Sequence, residues 1–298
     1  MSAKMAFWLA APHTWAASIL PVLLGTMLSA AHYGAFDVLL FACVLCICVL
    51  MQSSVNALND YYDFVKGTDS LENSDDPSDA VLVYNDIDPQ AVFRLGAAFL
   101  AAAALLGGYV VYRCGMEPLI IGAVGGLVIV LYSAGKHPLS YYPIGEMVSG
   151  VVMGGLIPLA VYNVLTGEMD AQMLYLSAPV IIGIAMIMYT NNISDIERDI
   201  PAGRKTLPVL LGRPLAVKAY RLAVILWLLC MAHLVFYHFR MGLVLMPVML
   251  LLGKPVLRTV FRLPFTAETR GAAMGTIMKA NVLFGVGYML MIAVGTIW

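Results

Sequence analysis

The chain has 298 residues, a net charge of −1 and only 12% charged residues. Soluble domains carry roughly 25% charged residues, and the mean hydropathy of this chain is +0.86. The composition therefore excludes an ordinary water-soluble protein. It predicts an all-α polytopic membrane bundle, with residues 1–298 forming a single integral-membrane domain. No cleavable signal peptide is expected, because aromatic and polar residues follow Lys4.

Long apolar runs divide the chain into about nine predicted transmembrane helices. Their approximate bounds are 14–33, 37–58, 92–112, 117–134, 146–165, 172–193, 215–237, 241–261 and 276–297. Most connections between them are short. The segments 60–91 and 195–214 are longer and carry most of the polar residues, and a shorter polar link covers 262–275.

The basic residues predict the orientation of the helices. If the N terminus is cytoplasmic, all but two of the 17 Lys and Arg residues fall on the cytoplasmic side. The exceptions are Arg113 and Arg240. Because cytoplasmic loops are enriched in Lys and Arg, this distribution predicts an odd number of spans and a C terminus outside.

The second predicted span ends in NALNDYYDFVKGTD, residues 56–69. Its polar side chains recur at helical spacing and share one face: Asn56, Asn59, Asp60, Asp63 and Lys66. Carboxylates and amides suit a hard cation such as Mg²⁺, which typically bridges one or two carboxylates to substrate phosphates. We therefore predict Asp60 and Asp63 as metal ligands and Lys66 as a positive charge for a leaving diphosphate. A solvated helix end followed by an acidic loop is the alternative.

A second polar cluster, residues 191–199, ends the sixth predicted span. Asp195 and Asp199 are four residues apart and share one helical face. Arg204 and Lys205 follow, either as diphosphate-binding cations or as a positive-inside anchor. The predicted orientation places both clusters on the cytoplasmic side. We expect them to face each other and to hold a magnesium diphosphate, with Asp60, Asp63, Asp195 and Asp199 as the metal ligands.

The two clusters together resemble the motifs of the UbiA-type membrane prenyltransferase superfamily. NALNDYYDFVKGTD and NNISDIERDIPAGRKTLPVLLG are most similar to the branch that prenylates 1,4-dihydroxy-2-naphthoate in menaquinone synthesis, and residues 12–14, 21–26 and 132–146 resemble the same branch. The resemblance implies a nine-helix bundle whose central cavity opens laterally to lipid under cytoplasmic loops. It also implies the inner membrane of a prokaryotic-type cell.

The same resemblance implies roles for individual residues. The residues that it places in catalysis are Asp60, Asp63, Asp195 and Asp199, to which we add Lys66 for its charge and spacing. Those that it places at the substrate are Asn56, Asn192, Arg204, Lys205, Tyr132 and Lys136, and we add Asn59 and Asp69 as residues that either contact the substrate or orient the loop.

Two features depart from the family pattern. Ser194 stands before Asp195, where relatives usually carry Arg, and the segment 70–90 is acidic with neither Lys nor Arg. We expect this segment to shape the acceptor end of the site. The departures therefore concern the identity of the acceptor more than the class of reaction.

The implied activity is Mg²⁺-dependent transfer of a polyprenyl group from an allylic polyprenyl diphosphate to an aromatic acceptor. With 1,4-dihydroxy-2-naphthoate, the products would be demethylmenaquinone, diphosphate and CO₂. The expected partners are these two substrates and the lipid bilayer, with neither nucleic acid nor a protein partner.

Three alternatives remain open at this point. The acceptor could be another aromatic compound, such as 4-hydroxybenzoate, homogentisate or a porphyrin side chain. A CDP-alcohol phosphotransferase is disfavoured because the segment from Asp60 to Phe64 lacks the DG and AR elements of that motif. A transporter using acidic sites is disfavoured because transporters place such sites near the bilayer midplane, whereas these acids end the apolar runs.

Overall fold

The chain folds into a bundle of α-helices, as the composition predicts. The computed structural model describes residues 1–67, 81–135 and 138–297, within which there is no β-strand. The α-helices are α1 (Ala3–Leu9), α2 (Ala16–Tyr33), α3 (Val38–Val65), α4 (Val81–Tyr84), α5 (Pro89–Cys114), α6 (Glu117–Ser133), α7 (Gly145–Val151), α8 (Ile157–Thr166), α9 (Gln172–Leu176), α10 (Ala178–Ser194), α11 (Ile196–Asp199), α12 (Leu207–Leu211), α13 (Arg213–His238), α14 (Met246–Arg262) and α15 (Arg270–Ile297). A π turn, Val152–Leu156, joins α7 to α8, and short 3-10 turns cover Pro12–Thr14, Leu139–Tyr141, Arg240–Leu245 and Ala267–Thr269.

Helices long and apolar enough to cross a membrane account for seven segments of the described residues. They are Ala16–Tyr33, Val38–Val65, Pro89–Cys114, Gly145–Thr166, Arg213–His238, Arg240–Arg262 and Ala267–Thr296. α6 and α10 are shorter, with 17 residues each, and coincide with two further predicted spans. The protein is thus an integral membrane protein, while the total of nine spans and their orientation remain predictions.

The first polar cluster lies on a helix, and that helix is longer than the sequence predicted. The predicted span ended at residue 58, whereas α3 continues to Val65. The N terminus of α3 is fixed by Asp37, whose Oδ1 accepts hydrogen bonds from the backbone N–H of Leu39 and Leu40 at 2.9 and 3.0 Å. Such side-chain caps satisfy backbone donors that a helix leaves unpaired. Since nothing interrupts the helical pattern through the cluster, the helical spacing of its polar side chains is preserved.

Glycines allow several helices to approach closely. A Cβ atom added at Gly25 of α2 would lie 2.7 Å from the carbonyl oxygen of Pro158 on α8. One added at Gly96 of α5 would lie 2.8 Å from the side chain of Leu58 on α3. Nearby, the hydroxyl of Ser54 donates to the carbonyl oxygen of Gly96 at 2.8 Å. These close contacts are typical of membrane helices, in which van der Waals packing replaces the hydrophobic effect.

The closest approach that bears on the site joins α7 and the π turn to α10. A Cβ at Gly150 would lie 2.7 Å from the carbonyl oxygen of Ile181 on α10. A Cβ at Gly154 would lie 2.6 Å from the Cα of Ile181. The helix that begins at Gly145 is therefore held directly against the helix that carries the second polar cluster.

The main hydrophobic core surrounds α10 and is built by α2, α13 and α15. Trp227 of α13 and Phe284 of α15 are fully buried and meet edge to face, with ring centroids 5.4 Å apart. The hydroxyl of Tyr288 donates to the carbonyl oxygen of Leu176 at 2.9 Å, which satisfies a buried polar group. The core thus fixes α10 along its length and sets the position of the cluster at its end.

Replacing Gly154 with alanine is expected to destabilise the protein by about 1–3 kcal/mol, because the added methyl group meets the backbone of α10. The measurement is thermal unfolding in detergent. The matched control is Gly122→Ala on α6, where no described atom lies within 4 Å of the new Cβ. The control should unfold at the wild-type temperature or slightly above it, since alanine favours helix over glycine. Equal melting temperatures for the two variants would contradict the proposed close contact.

Candidate functional site: two Asp-rich clusters joined by arginine

The end of α3 and the segment after α10 meet at one end of the bundle. Asp60 and Asp63 lie in the last turns of α3, Asp195 follows α10 directly, and Asp199 ends α11. All four side chains are buried, with exposed fractions between 2% and 8%. Burying an ionised carboxylate is costly unless positive charge or hydrogen bonds compensate it. The compensating groups therefore define the chemistry of the site.

Arg204 joins the two clusters. Its Nη2 lies 2.6 Å from Oδ1 of Asp63, and its Nη1 lies 3.7 Å from Oδ1 of Asp199. The chain reaches this position through a tight turn at Gly203, which has a positive φ of 72°, and the backbone N–H of Arg204 donates to the carbonyl oxygen of Asp199 at 2.9 Å. A single guanidinium thus connects the two clusters, and Arg204 lies 141 positions from Asp63 in the sequence.

The pKa values of Asp199 and Arg204 reflect both the burial of these groups and the charges beside them. Burial raises the pKa of Asp199 to about 7, and the positive charge of Arg204 opposes this rise. Burial alone would lower the pKa of Arg204, but the carboxylates of Asp63 and Asp199 outweigh it and raise that pKa above its ordinary value. The hydroxyl of Thr206 also donates to Oδ2 of Asp199 at 3.3 Å. Asp199 is therefore a carboxylate whose ionised form needs a nearby cation.

A second arginine compensates the other end of the second cluster. The Nε of Arg270, at the start of α15, lies 3.1 Å from both carboxylate oxygens of Asp195. Its Nη2 donates to Oδ1 of Asn191 at 2.7 Å. From the sequence, Arg270 was predicted only as one of the cytoplasmic cations. The signal in the sequence was Ser194, which stands where relatives usually carry an arginine. The absence of that arginine indicated that another one, here Arg270, compensates Asp195.

Asn59 and Lys66 complete the first cluster. Asn59 donates to Oδ2 of Asp63 at 3.0 Å and accepts from the hydroxyl of Ser133 at 3.0 Å, so it orients that carboxylate. Lys66 donates to the carbonyl oxygen of Ser133 at 2.8 Å. Its Nζ also lies 5.3 Å from the centre of the Tyr141 ring, which faces the guanidinium of Arg204 at 5.2 Å. Lys66 and Arg204 therefore converge on one aromatic ring.

Asn56 is placed differently from the other predicted residues. Its amide donates to the hydroxyl of Thr14 at 2.9 Å and to the carbonyl oxygen of Ala10 at 3.0 Å. Its own carbonyl oxygen accepts from Gln52 at 3.2 Å. These bonds attach the N-terminal segment to α3, and a direct contact between Asn56 and the substrate remains a prediction.

On α10, Asn192 is buried and donates to Oε1 of Glu146 at 2.8 Å. The hydroxyl of Tyr132, at the end of α6, interacts electrostatically with Glu146 and also with Arg204, Asp63 and Asp199. Glu146 was quoted in the sequence analysis only as part of segment 132–146 and was not identified as a site residue. A glutamate in the first turn of an apolar helix was the signal that could have marked it.

The remaining predicted residues are less constrained. The backbone N–H of Lys205 donates to the carbonyl oxygen of Tyr141 at 2.8 Å, and the side chain of Lys205 is exposed. Asp69 and Lys136 lie outside the described residues, as does most of the acidic loop.

A groove of about 600 Å³ lies on α14 between Pro247 and Arg262 and includes no residue of either cluster. The predicted central cavity therefore remains a prediction.

The carboxylates fit Mg²⁺ if phosphate oxygens complete its coordination. Within the part of the chain that the structure describes, no three His, Cys, Asp or Glu side chains come close enough to form a metal site by themselves. Mg²⁺ characteristically uses only one or two carboxylates, with water and substrate phosphates as its other ligands. Asp63 and Asp199 are buried oxygen donors that already face a common positive group. This donor set suits a magnesium diphosphate better than a bare ion.

Residues 18–283 match the UbiA prenyltransferase family. The chain belongs to this family. A 1,4-dihydroxy-2-naphthoate octaprenyltransferase of Bacillus subtilis is 36% identical to it over 206 residues, which are 69% of this chain and 65% of that protein. A UbiA prenyltransferase domain-containing protein 1 of Xenopus tropicalis is 28% identical over 217 residues, 72% of this chain and 62% of that protein. The chain spans slightly less than two thirds of the length of these curated relatives.

Solved structures show the same fold at low sequence identity. A UbiA homologue from Archaeoglobus fulgidus has a TM-score of 0.68 and 15% identity, covering 97% of this chain and 100% of that one. A structure of a homologue from the same organism bound to GPP and Mg²⁺ has a TM-score of 0.65 and 16% identity, covering 96% and 99%. These likenesses confirm the predicted helical-bundle fold of the family.

Replacing Arg204 with glutamine is expected to destabilise the protein by about 3 kcal/mol, because breaking a buried ion pair leaves uncompensated carboxylates. Thermal unfolding in detergent measures the loss. Adding millimolar Mg²⁺ without substrate should restore more stability to this variant than to the wild type, because the cation can replace the guanidinium. Lys205→Gln is the control, since its exposed side chain is the adjacent cation. An identical Mg²⁺ response in Arg204→Gln and wild type would count against a shared cation site.

Proposed function

We propose that this protein transfers a polyprenyl group from an allylic polyprenyl diphosphate to 1,4-dihydroxy-2-naphthoate, with release of diphosphate and CO₂. The observation that carries the proposal is that Asp63 and Asp199, one from each cluster, share the guanidinium of Arg204. Two carboxylates beside one guanidinium suit a diphosphate that is bound through divalent cations. The choice of acceptor is supported by the relative of Bacillus subtilis at 36% identity.

In this proposal the diphosphate lies between the two clusters. Asp60, Asp63, Asp195 and Asp199 would hold Mg²⁺, which when bound neutralises the charge that develops on the leaving diphosphate. Arg204 is oriented by its bonds to two carboxylates and would donate to diphosphate oxygens as a bidentate partner. Fixed positive groups that face a developing anion stabilise the transition state without reorganisation.

The allylic fragment needs a water-poor, electron-rich surface when its bond to the diphosphate breaks. The structure narrows the choice among many aromatic residues, because the ring of Tyr141 already faces both Lys66 and Arg204 at 5.3 and 5.2 Å. The electron-rich ring of a tyrosine beside the diphosphate site can stabilise an allylic carbocation. We therefore assign Tyr141 to the reacting end of the prenyl chain, with the tail running along the bundle towards lipid.

The proposed orientation places both clusters and the N terminus on the cytoplasmic side and the C terminus outside. Its support is the distribution of Lys and Arg along the chain. A water-soluble acceptor would then enter from the cytoplasm, whereas the polyprenyl diphosphate would enter from the bilayer.

A transporter is the alternative from a different class. Transport sites lie near the midplane of the bilayer, at interrupted helices. The carboxylates here lie instead in the last turns of α3 and directly after α10, which favours an enzyme acting at the membrane surface. An acceptor other than dihydroxynaphthoate, such as 4-hydroxybenzoate, would leave the diphosphate half of the proposal unchanged.

Purified protein in lipid nanodiscs should convert a labelled polyprenyl diphosphate and 1,4-dihydroxy-2-naphthoate to product when Mg²⁺ is present and not when EDTA is added. Asp60→Ala and Asp195→Ala should each lower the rate by about 100-fold or more, the usual cost of removing one electrostatic stabiliser. Glu197→Ala is the control, because this exposed glutamate lies in the same segment and pairs with Arg213 outside the clusters.

The outcomes separate the alternatives. Product formed only from 4-hydroxybenzoate would replace the acceptor and retain the reaction. A labelled ion that crosses the bilayer, with no acceptor prenylated, would exclude the enzyme. Full activity of either aspartate variant would remove that residue from the metal site.

A further inference from the structure

Glu146 is a buried acid that the diphosphate half of the proposed mechanism does not use. It lies in the first turn of α7 and is 4% exposed. Its Oε1 accepts a hydrogen bond from Asn192 at 2.8 Å, while its Oε2 has no hydrogen-bond partner among the residues that the structure describes. Leaving a buried polar atom without a partner costs about 1–3 kcal/mol, and more for charged groups. Packing alone does not explain why a glutamate occupies this position.

The surroundings of Glu146 place it beside the two Asp-rich clusters but not within them. Asn192 lies on α10, three residues before Asp195, which follows the end of that helix. The hydroxyl of Tyr132 interacts electrostatically with Glu146 and with Arg204, Asp63 and Asp199. Glu146 accepts its hydrogen bond from an amide and not from a proposed metal ligand. Glu146 is therefore adjacent to the expected reaction centre and separate from the carboxylates that face the diphosphate.

Positive charge at this end of the bundle is directed towards other carboxylates. Arg204 pairs with Asp63 and Asp199, and Arg270 pairs with Asp195. Glu146 instead accepts from the neutral amide of Asn192, and the hydroxyl of Tyr132 lies near the start of the same helix, 3.8 Å from where a Cβ of Gly145 would stand. A carboxylate oxygen in such surroundings is available to accept a hydrogen bond, whereas the carboxylates of Asp63, Asp195 and Asp199 already face a guanidinium.

We propose that Glu146 binds a ring hydroxyl of the aromatic acceptor through Oε2 and takes the proton of that hydroxyl during prenyl transfer. This inference rests on the proposed function and names the acceptor side of the same site. Asn192 is then a positioning residue, because its bond to Oε1 leaves Oε2 directed at the acceptor. The ligand class is an aromatic ring with a free hydroxyl conjugated to the attacked carbon.

The C–O bond between the prenyl carbon and the diphosphate breaks, and its electron pair leaves with the diphosphate. A π electron pair of the acceptor ring forms the new C–C bond, and the O–H electron pair of the hydroxyl becomes a C=O bond. The proton goes to the carboxylate of Glu146, so that the positive charge of the prenyl fragment and the negative charge of the glutamate cancel.

The test compares Glu146→Gln with wild type by two separate readouts. Calorimetric titration with a non-reactive polyprenyl thiodiphosphate and Mg²⁺ should give the same affinity for both proteins, because the clusters are untouched. The kcat/KM for the hydroxylated acceptor should fall by about 100-fold or more in the variant, which is the typical contribution of a positioned acid or base. Glu146→Asp keeps a carboxylate and should recover part of kcat while the KM for the acceptor stays raised.

The matched control is Glu117→Gln. Glu117 also accepts a hydrogen bond from a buried asparagine, Asn163, at 2.7 Å, but it begins α6 at the end opposite Tyr132. Its substitution should leave both readouts at the wild-type level. If Glu146→Gln is too unstable to assay, Glu146→Asp decides alone, through a raised acceptor KM with unchanged thiodiphosphate affinity.

Each result has one meaning. Wild-type kcat/KM in Glu146→Gln, or unchanged acceptor KM in Glu146→Asp, would overturn the role of Glu146 and leave the proposed function intact. Loss of thiodiphosphate binding in Glu146→Gln would assign the residue to the stability of the clusters and would also overturn the role. If wild type prenylates no hydroxylated aromatic acceptor, the proposed function itself fails.

Discussion

A positive charge shared by the two Asp-rich clusters is the constraint on which the rest of this structure depends. Four carboxylates buried at one end of an apolar bundle repel one another and are costly to desolvate. Arg204 offsets this cost by contacting Asp63 and Asp199 together, which requires the end of α3 to lie beside the segment that follows α10. The close packing of α7 against α10, and of α2 against α8, builds the scaffold that holds this position.

The site has two halves with different electrostatic requirements. In the clusters, Asp63, Asp195 and Asp199 each contact an arginine. Such a mixture of carboxylates and guanidinium groups suits the metal and the anion that we propose to bind there. Around Glu146 the neighbours are the amide of Asn192 and the hydroxyl of Tyr132 near the start of α7, which suit the neutral aromatic hydroxyl that we propose. Asn192 belongs to both halves, because it lies on the helix of the second cluster and contacts Glu146.

Much of this organisation could be predicted from the sequence, and the omissions have a physical reason. Hydropathy identified the helices, and helical spacing placed the polar residues of α3 on one face. Spacing does not reveal a partner across the bundle, so the pairing of Arg270 with Asp195, 75 positions apart, was missed. For the same reason the hydrogen bonds from the Asn56 amide to the N-terminal segment were not foreseen, while its contact with the substrate stays a prediction. The polar end of α3 lies beyond the predicted membrane span, which ended at residue 58, and continues the same helix as its helical spacing indicated.

The π turn between α7 and α8 has a consequence for comparing this chain with others. A π turn holds one residue more than an α-helical turn, and one residue corresponds to a rotation of about 100°. Val152–Leu156 therefore sets the rotational phase of Glu146 relative to the half of the helix that contacts α2. A single-residue deletion there would turn Glu146 away from Asn192 while leaving the hydropathy of the span almost unchanged. An ungapped alignment of this helix with a regular one would assign the wrong residue to the acceptor.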